Sequence, residues 1–476
     1  MSRNGLLWTS LFAVLGLACK SSSGGGGSGG DAVVTPSTYV ATSGEGDLAV
    51  WTVADGGGSV TVVLTKVDTS GNPVDGGTHT IAGSCGARDA VLDYRKCTIS
   101  SVTPVVANSG SPKAGDQYVT LELPGVAYIA HPTGSQSGDK RHDLHVGVIA
   151  ASCHNITGSY NMVHVGPPGT LIEGFGQFSL TGANDGTVSA VTHYDYGMVV
   201  NGAYSDNSSS DPIKVALLTD EFTISIADGG STCANGVTTI ALPAGGGSAV
   251  FARATVTNAG ALLIDLPRGL GGIIGISAAS AATLSDLRNR DLFIVAYEGD
   301  DSVNLMRVRV GDAGEVTFVA DVKDGGPEDD GGLGRMVALG DSSLTSYFGA
   351  GSWVDSKNMT SATVDGGFVN TWSPPDGGRA SSPAPSTLSG FFTIVDNQGR
   401  PFIEKGRPII LAAQKADGGI FLSGVHMGVN NDNSGKDSDG GYTRCFSKPR
   451  PDGTPDGRKN DRQSYCIDGP FVGYSR

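Results

Sequence analysis

The residues whose types best suit a chemical role lie in one amide- and acid-rich stretch near the carboxyl end, residues 430–441 (NNDNSGKDSDGG). Ca²⁺ is bound by carboxylate and amide oxygens, and the spacing of Asp437 and Asp439 before Gly440 matches the end of an Asp-x-Asp-x-Asp-Gly calcium loop. The candidate calcium ligands are Asn431, Asn433, Asp437 and Asp439. Gly435 occupies the first ligand position and no bidentate carboxylate follows the loop, so we favour a solvated loop and keep calcium as the alternative.

A second stretch, residues 336–342 (MVALGDS), places Ser342 directly after a predicted strand. It resembles the nucleophile block of the GDSL/SGNH hydrolases, and residues 428–431 (GVNN) are similar to the block of that family whose Asn donates to the oxyanion. The resemblance implies an α/β fold and a downstream Asp-x-x-His, because a serine hydroxyl is a weak nucleophile without an adjacent base. No histidine follows His426. We therefore interpret 336–342 as a strand that ends in a polar turn, predict no catalytic residue, and keep a Ser342 hydrolase as an alternative.

The histidines are not spaced for chelation. His142 and His145 lie three residues apart in a predicted strand, where side chains alternate between the two faces, so the two rings point to opposite sides. Only tertiary contact could add a third ligand to either ring. The remaining histidines in this region are His131, His154 and His164. We predict no histidine metal site.

The first 19 residues indicate where the chain acts. Arg3 precedes an apolar run that is too short to span a bilayer but has the length of a signal-peptide core, and the run ends at Cys19. This segment resembles the signal of a bacterial lipoprotein, although Gly16 stands where that family has an aliphatic residue. The resemblance implies that Cys19 receives the lipid and becomes the mature amino terminus. Lys20, in place of the Asp that retains some lipoproteins in the inner membrane, favours the outer membrane.

Cysteine usage fits an exported chain. Beyond Cys19 the chain has six cysteines, and an even number in an exported protein indicates disulfides. Sequence alone does not fix the pairing, and we prefer the partners that close short loops. The predicted pairs are Cys85–Cys97 and Cys445–Cys466, which leaves Cys153 to pair with Cys233.

Composition excludes several classes of protein. The net charge of −15 argues against a nucleic-acid partner, because phosphate binding needs clustered Lys and Arg. The 73 glycines and the 17% of charged residues, against a usual share of about 25%, fit an extracellular β protein with many tight turns. No second apolar run reaches membrane-spanning length, since Asp265, Pro267 and Arg268 interrupt 262–276. We predict no transmembrane helix and no cofactor apart from the possible calcium.

Short β patterns recur along the chain at the spacing of an antiparallel sandwich or barrel. Typical examples are residues 48–53 (LAVWTV), 60–67 (VTVVLTKV) and 118–123 (YVTLEL), which are rich in β-branched and aromatic residues. One segment, 278–290, has a helical pattern. The predicted fold class is all-β, with two or three antiparallel barrel or sandwich domains.

The domain boundaries follow shifts in composition. We predict a signal peptide, a Ser/Gly tether, a first β domain, a barrel-like domain with one short helix, an Asp/Gly linker and a last β domain with a cysteine-containing loop. The corresponding ranges are 1–18, 19–36, 37–150, 151–322, 323–334 and 335–476. Residues 158–160 (GSY), followed by Gly174, Gly176 and Phe178, faintly resemble the start of a lipocalin-like barrel. That resemblance implies a cavity for a small apolar ligand, lined by inward residues of 158–322.

Together these features predict a lipid-anchored cell-envelope protein without enzymatic activity, which acts through surface binding or as a structural module. Function on such scaffolds usually lies on the loops at barrel or sandwich ends. The expected partners are the membrane, through the anchor, and a cell-surface partner. A lipocalin-like binder of a small apolar ligand is the alternative within the same role.

Overall fold

The structure is a computed structural model, and it describes most of the chain beyond residue 36. Residues Pro36–Arg476 cluster as a single unit by their contacts. The described residues are 37–42, 48–54, 58–67, 73–104, 113–123, 125–133, 145–149, 152–165, 174–196, 221–244, 247–258, 260–266, 271–298, 302–321, 334–338, 390–395, 409–416, 419–430, 444–447 and 464–475.

The first eight strands form a closed antiparallel barrel, in which each strand pairs with the next and β1 pairs with β8. Burial alternates along β2, as expected for a strand with one face turned into a barrel. Ala49, Trp51 and Val53 point inward, and the residues between them are half-buried. We call this the first barrel. Its strands are β1 (Ser37–Thr42), β2 (Leu48–Val53), β3 (Ser59–Val67), β4 (Pro73–Arg88), β5 (Arg95–Thr103), β6 (Gln117–Leu123), β7 (Ala127–Thr133) and β8 (His145–Ile149).

The next nine strands form one barrel-like sheet, here called the second barrel, in which the first and last of these strands along the chain pair with each other. Each strand otherwise pairs with its sequence neighbour, except at one break. The strands are β9 (Gly158–Val165), β10 (Gly174–Gly182), β11 (Val188–Tyr196), β12 (Glu221–Ser225), β13 (Ser231–Ala234), β14 (Val237–Ala244), β15 (Gly247–Val256), β16 (Ala261–Asp265) and β17 (Gly272–Ser277).

The break lies between β12 and β13, which are the two ends of the sheet order. Since every pairing around the sheet is antiparallel, β12 and β13 must run in the same direction, as two halves of one interrupted strand. β12 pairs with β11 and β13 pairs with β14, and a turn in which Gly230 N–H donates to Ala227 O (2.8 Å) separates them. A hydrogen bond from Val188 N–H to Ser231 Oγ (2.9 Å) crosses the break. The second barrel is therefore a barrel-like sheet with a break between β12 and β13, here called the dislocation.

The last nine strands form the third barrel, which is closed by pairing between β18 and β26. β25 lies outside the ring, where it pairs with the first residues of β26. The strands are β18 (Arg290–Glu298), β19 (Ser302–Val310), β20 (Glu315–Asp321), β21 (Gly334–Ala338), β22 (Phe391–Val395), β23 (Ile409–Ala416), β24 (Gly419–Asn430), β25 (Arg444–Ser447) and β26 (Ser464–Ser475). The predicted all-β fold with antiparallel barrels is thus confirmed.

Each barrel has its own apolar interior, and a fourth apolar cluster lies between the barrels. The three interiors are built from inward side chains such as Trp51, Phe178 and Phe392. The fourth cluster, here called the shared core, takes outward side chains from all three barrels, among them Leu121 of the first and Ile274 of the second. The strands that close each barrel contribute to it, so these strands are buried on both faces.

Burial on both faces explains the long apolar run at 262–276. All five residues of β16 are buried, and so are the first five of β17. Ile264 and Ile273 point into the second barrel, whereas Leu263 and Ile274 point into the shared core. A strand covered on both sides needs no alternation of polar residues.

Two sequence-based expectations differ from the structure. The predicted helix over 278–290 is instead a 3₁₀ turn (Ala278–Ser280) and a single helical turn, α1 (Leu284–Leu287). Strands β18, β19 and β20 pair within the third barrel, although the sequence assigns them to the second domain that ends at 322. The supposed linker 323–334 therefore joins two strands of the same barrel, because a polar loop inside a barrel and a linker between domains have the same composition.

Candidate functional site

The most elaborate polar arrangement among the described residues lies where the first barrel meets the third, at the hairpin between β4 and β5. The Asp89 carboxylate accepts hydrogen bonds from the backbone N–H of Val91 and Leu92, both at 2.8 Å. Such a side-chain-to-backbone turn fixes the tip of the hairpin. Asp93 follows with φ of 59°, a left-handed conformation that Asp tolerates. This local geometry directs Asp93 and Arg88 toward the third barrel.

Five side chains form a charged network at this point, here called the junction network. The Arg88 guanidinium lies 3.2 Å from Asp93 Oδ2 and 3.7 Å from Glu122 Oε2. Tyr39 donates a hydrogen bond to Glu122 Oε1 (3.0 Å) from within the first barrel. Tyr474, on the last strand of the third barrel, donates to Asp93 Oδ2. The network thus joins the interior of the first barrel to the outer wall of the third.

The outer wall of the third barrel meets the same hairpin through Arg307. Its guanidinium donates to Asp291 Oδ2 (2.7 Å) and to the carbonyl oxygen of Val91 (3.2 Å). It also lies 5.6 Å from the centre of the Phe293 ring, which in turn contacts the Tyr474 ring at 5.6 Å. A cation over an aromatic face adds an attraction to the ion pair. Arg307 therefore fixes the hairpin tip from the opposite side.

The buried tyrosines of the barrels, including those of the junction network, are held in their neutral form. Burial, together with the nearby carboxylates, raises the pKa of Tyr39 and Tyr474 well above the usual range, and burial does the same for Tyr128. Burial raises the pKa of Tyr118 and Tyr160 to about 12. A neutral phenol donates a hydrogen bond and is neither a base nor a nucleophile near pH 7. The junction network thus holds the first and third barrels together through hydrogen bonds and ion pairs.

A second polar contact joins the first and second barrels. Asp265 is 2% exposed, accepts a hydrogen bond from Thr42 Oγ1 (2.8 Å) and lies 3.4 Å from Arg253 Nη1. A Cβ on Gly272 would lie 2.6 Å from Thr42 Cγ2, so glycine is needed for the two walls to approach this closely. The buried carboxylate has a charged and a neutral partner, as a buried charge requires.

The predicted calcium ligands Asn431, Asn433, Asp437 and Asp439 lie outside the described residues, as does Cys19. β24 ends at Asn430 and β25 begins at Arg444, so the loop connects these two strands. Within the described ranges, no group of three or more His, Cys, Asp or Glu side chains could hold a metal ion. The calcium site therefore stays a prediction.

Two of the three predicted disulfides are present. Cys85 and Cys97 are bonded across β4 and β5, where the two residues face each other in register. Cys153, before β9, is bonded to Cys233 of β13. Cys445 and Cys466 face each other on β25 and β26. Opposed residues of an antiparallel pair have Cα atoms about 4.5–5.5 Å apart, within the range of a disulfide.

We predict that Cys445 and Cys466 form the third disulfide. Peptide mapping of the non-reduced protein should recover both residues in one linked peptide, and thiol labelling of the unfolded protein should find neither. A Cys445→Ala variant should gain one reactive thiol, at Cys466. Labelling of both cysteines in the unreduced wild-type protein would contradict the pairing.

The candidate histidines are not brought together. His145 lies on β8 with its ring centre 5.8 Å from the centre of the Trp51 ring, inside the first barrel. His131, on β7, is buried. His154 is near the surface, where its Nδ1 contacts Ser152 O (2.7 Å). His142 is outside the described residues, and only the backbone of His164 is described, on β9.

The hydrolase alternative gains no support from the described residues. Ser342 lies outside them, and β21, which precedes it, is a strand of an antiparallel barrel. Residues 428–430 belong to β24 of the same barrel. The α/β fold that the GDSL/SGNH resemblance implied is not the fold of this chain.

The inward side chains of the second barrel contact one another. Tyr160, Met162, Phe178 and Ile240, from different strands, belong to one cluster of buried apolar residues. The lipocalin resemblance implied that inward residues of 158–322 line a cavity. The described ones form one cluster of buried apolar residues, and the ligand cavity stays a prediction.

No helix within the described part of the chain has both the length and the apolar character needed to cross a membrane.

The chain matches no protein-family model and no curated protein. It is similar to a solved structure of a double mutant of the vaccine antigen Transferrin Binding Protein B from Haemophilus parasuis Hp5. The two share 9% identity over 93% of this chain and 76% of that chain, with a TM-score of 0.15. A score this low does not establish a common fold.

Proposed function

We propose that this protein is an exported, lipid-anchored component of a bacterial cell envelope that acts without catalysis, by binding a cell-surface partner or as a structural module. The two disulfides, Cys85–Cys97 and Cys153–Cys233, support export, because disulfides form and persist in oxidising compartments. The apolar segment that ends at Cys19 supports the anchor.

The observation that carries the proposal is the apolar cluster inside each barrel. The described inward side chains of each barrel belong to a cluster of buried apolar residues, and a further cluster lies between the barrels. Polar and charged groups for contact with a partner then lie on the outer surface and the loops, where function on such scaffolds is usual. The raised pKa values of the buried tyrosines also favour a structural role for the junction network.

The Ser/Gly tether from 20 to 36 fits this role. Linkers rich in Ser and Gly behave as flexible coils, and a coil of 17 residues, the length of 20–36, has a root-mean-square span of roughly 20–25 Å. The composition of this segment is thus the one expected of a linker between a lipid anchor and a folded part. We therefore place the protein on the outer membrane or the cell surface.

The anchor predicts a large change in localisation for a Cys19→Ala variant. The full-length wild-type protein, grown with an alkyne fatty acid, should carry the label, sediment with membranes and be cleaved by protease added to intact cells. Cys19→Ala should lose the label and leave the membrane fraction, because no acyl chain then holds the protein.

The matched control is Ser21→Ala, which changes a neighbouring tether residue and should behave as the wild type. Mass spectrometry of the mature amino-terminal peptide should find a diacylglyceryl group on Cys19. An unmodified mature terminus at another residue would refute the anchor. Protection of the labelled protein from protease on intact cells would refute surface exposure.

A further inference from the structure

Two polar side chains are buried in the outer wall of the third barrel, where it faces the second. Gln414 of β23 and Ser423 of β24 are both 0% exposed. In the register, Gln414 faces Phe421 and Ser423 faces Ala412, and these two partners belong to the shared core. Gln414 and Ser423 are thus diagonal neighbours on one face of the sheet, about 7 Å apart at Cβ.

The second barrel presents polar groups to the same region, the contact between the second and third barrels, which is here called the joint. A Cβ on Gly260, whose φ is +88°, would lie 2.8 Å from Ser280 Oγ and 3.5 Å from Gln414 Nε2. Ala281 forms an isolated β-bridge with Gln414. Asn161 of β9 is 0% exposed, and a Cβ on Gly390 would lie 2.9 Å from its Nδ2. Small residues therefore bring amides and hydroxyls of both barrels close together.

Three atoms of this joint lack partners. Among the described residues, neither Gln414 Oε1, Gln414 Nε2 nor Ser423 Oγ has a hydrogen-bond partner. Leaving a buried donor or acceptor unpaired is costly, and native proteins satisfy most such groups, often with ordered water. An apolar residue at either position would avoid the cost of burying an unpaired polar atom. The presence of polar side chains here therefore indicates that a ligand forms hydrogen bonds with them.

The atoms define the chemistry of that ligand. Gln414 Nε2 donates, Gln414 Oε1 accepts and Ser423 Oγ does both. A cation would satisfy only the acceptors and an anion only the donors, and the groups named here carry no charge. Water donates and accepts, and fits between closely packed walls.

We propose that the joint between the second and third barrels encloses ordered water bound to Gln414 and Ser423. Substitution of Ser423 distinguishes a hydrated from a dry joint. If water satisfies the hydroxyl, Ser423→Ala removes a bonded group and lowers the midpoint of urea unfolding. If the hydroxyl is unpaired, its removal relieves a penalty and raises the midpoint. The matched control is Ser101→Ala, at an exposed position of β5, which should leave the midpoint unchanged.

Hydration itself is measured on the full chain by oxygen-17 relaxation dispersion, which counts long-lived internal waters, and by a crystal structure that resolves water. We expect density within hydrogen-bonding distance of Gln414 and Ser423, and the loss of at least one long-lived water in Ser423→Ala. A dry joint in the crystal, a raised midpoint for Ser423→Ala, or density for a molecule other than water would each overturn the proposal.

Discussion

Phe391→Ala is expected to lower the free energy of unfolding by about 3–5 kcal/mol and to loosen all three barrels, because this side chain lies in the shared core. Phe391 is 1% exposed and points outward from the third barrel toward the other two. Its truncation leaves a cavity among residues contributed by all three barrels. The loss should therefore reach strands that are far from β22 in sequence.

Hydrogen exchange measures where this loss occurs. In Phe391→Ala we expect reduced protection of β7, β8 and β17, whose outward residues face the shared core, together with β26. Phe392→Ala is a stringent control, since it is the next residue on the same strand and equally buried but points into the third barrel. Its energetic cost should be similar, with the loss of protection centred on the third barrel. Identical exchange patterns for the two variants would mean that the shared core does not couple the barrels.

The strands could be predicted because their signal is local. The β-branched and aromatic residues of LAVWTV are visible in the sequence and correspond to β2, and the pattern around 118–123 corresponds to β6. The disulfide Cys85–Cys97 followed from its short separation of 12 residues. Each of these features depends on residues that are near one another in the chain.

The arrangement of the barrels could not be predicted in this way. Tyr474 meets Arg88 across 386 positions of sequence, and no local pattern marks either residue as a partner. β18–β20 join the third barrel through the pairs β20–β21 and β18–β26, and the second of these is a long-range contact. A helical pattern at 278–290 was overridden in part by tertiary contacts, since Ala281 pairs with Gln414.

The disulfide at the dislocation of the second barrel is expected to be the more stabilising of the two. Removing Cys153–Cys233 with a Cys153→Ala/Cys233→Ala double variant should cost about 4.5 kcal/mol, since the bond closes a loop with a sequence separation of 80. Removing Cys85–Cys97 should cost about 3 kcal/mol, because the separation is 12. Urea unfolding of both double variants and the wild type measures the difference.

The structure adds a local reason for this order. Cys85 and Cys97 face each other in the ladder between β4 and β5, whose pairing on both sides of the bond helps to hold them in place despite two register shifts. Cys233 lies on β13, beside the break in the second barrel, and a Cβ on Gly186 would lie 3.0 Å from its Sγ. The bond therefore adds to the hydrogen bond from Val188 to Ser231 in fixing the interrupted strand. Hydrogen exchange should show increased opening of β13 and of the β10–β11 turn in the Cys153→Ala/Cys233→Ala variant. An equal cost for the two disulfides, with β13 still protected, would show that the dislocation is held by its hydrogen bonds alone.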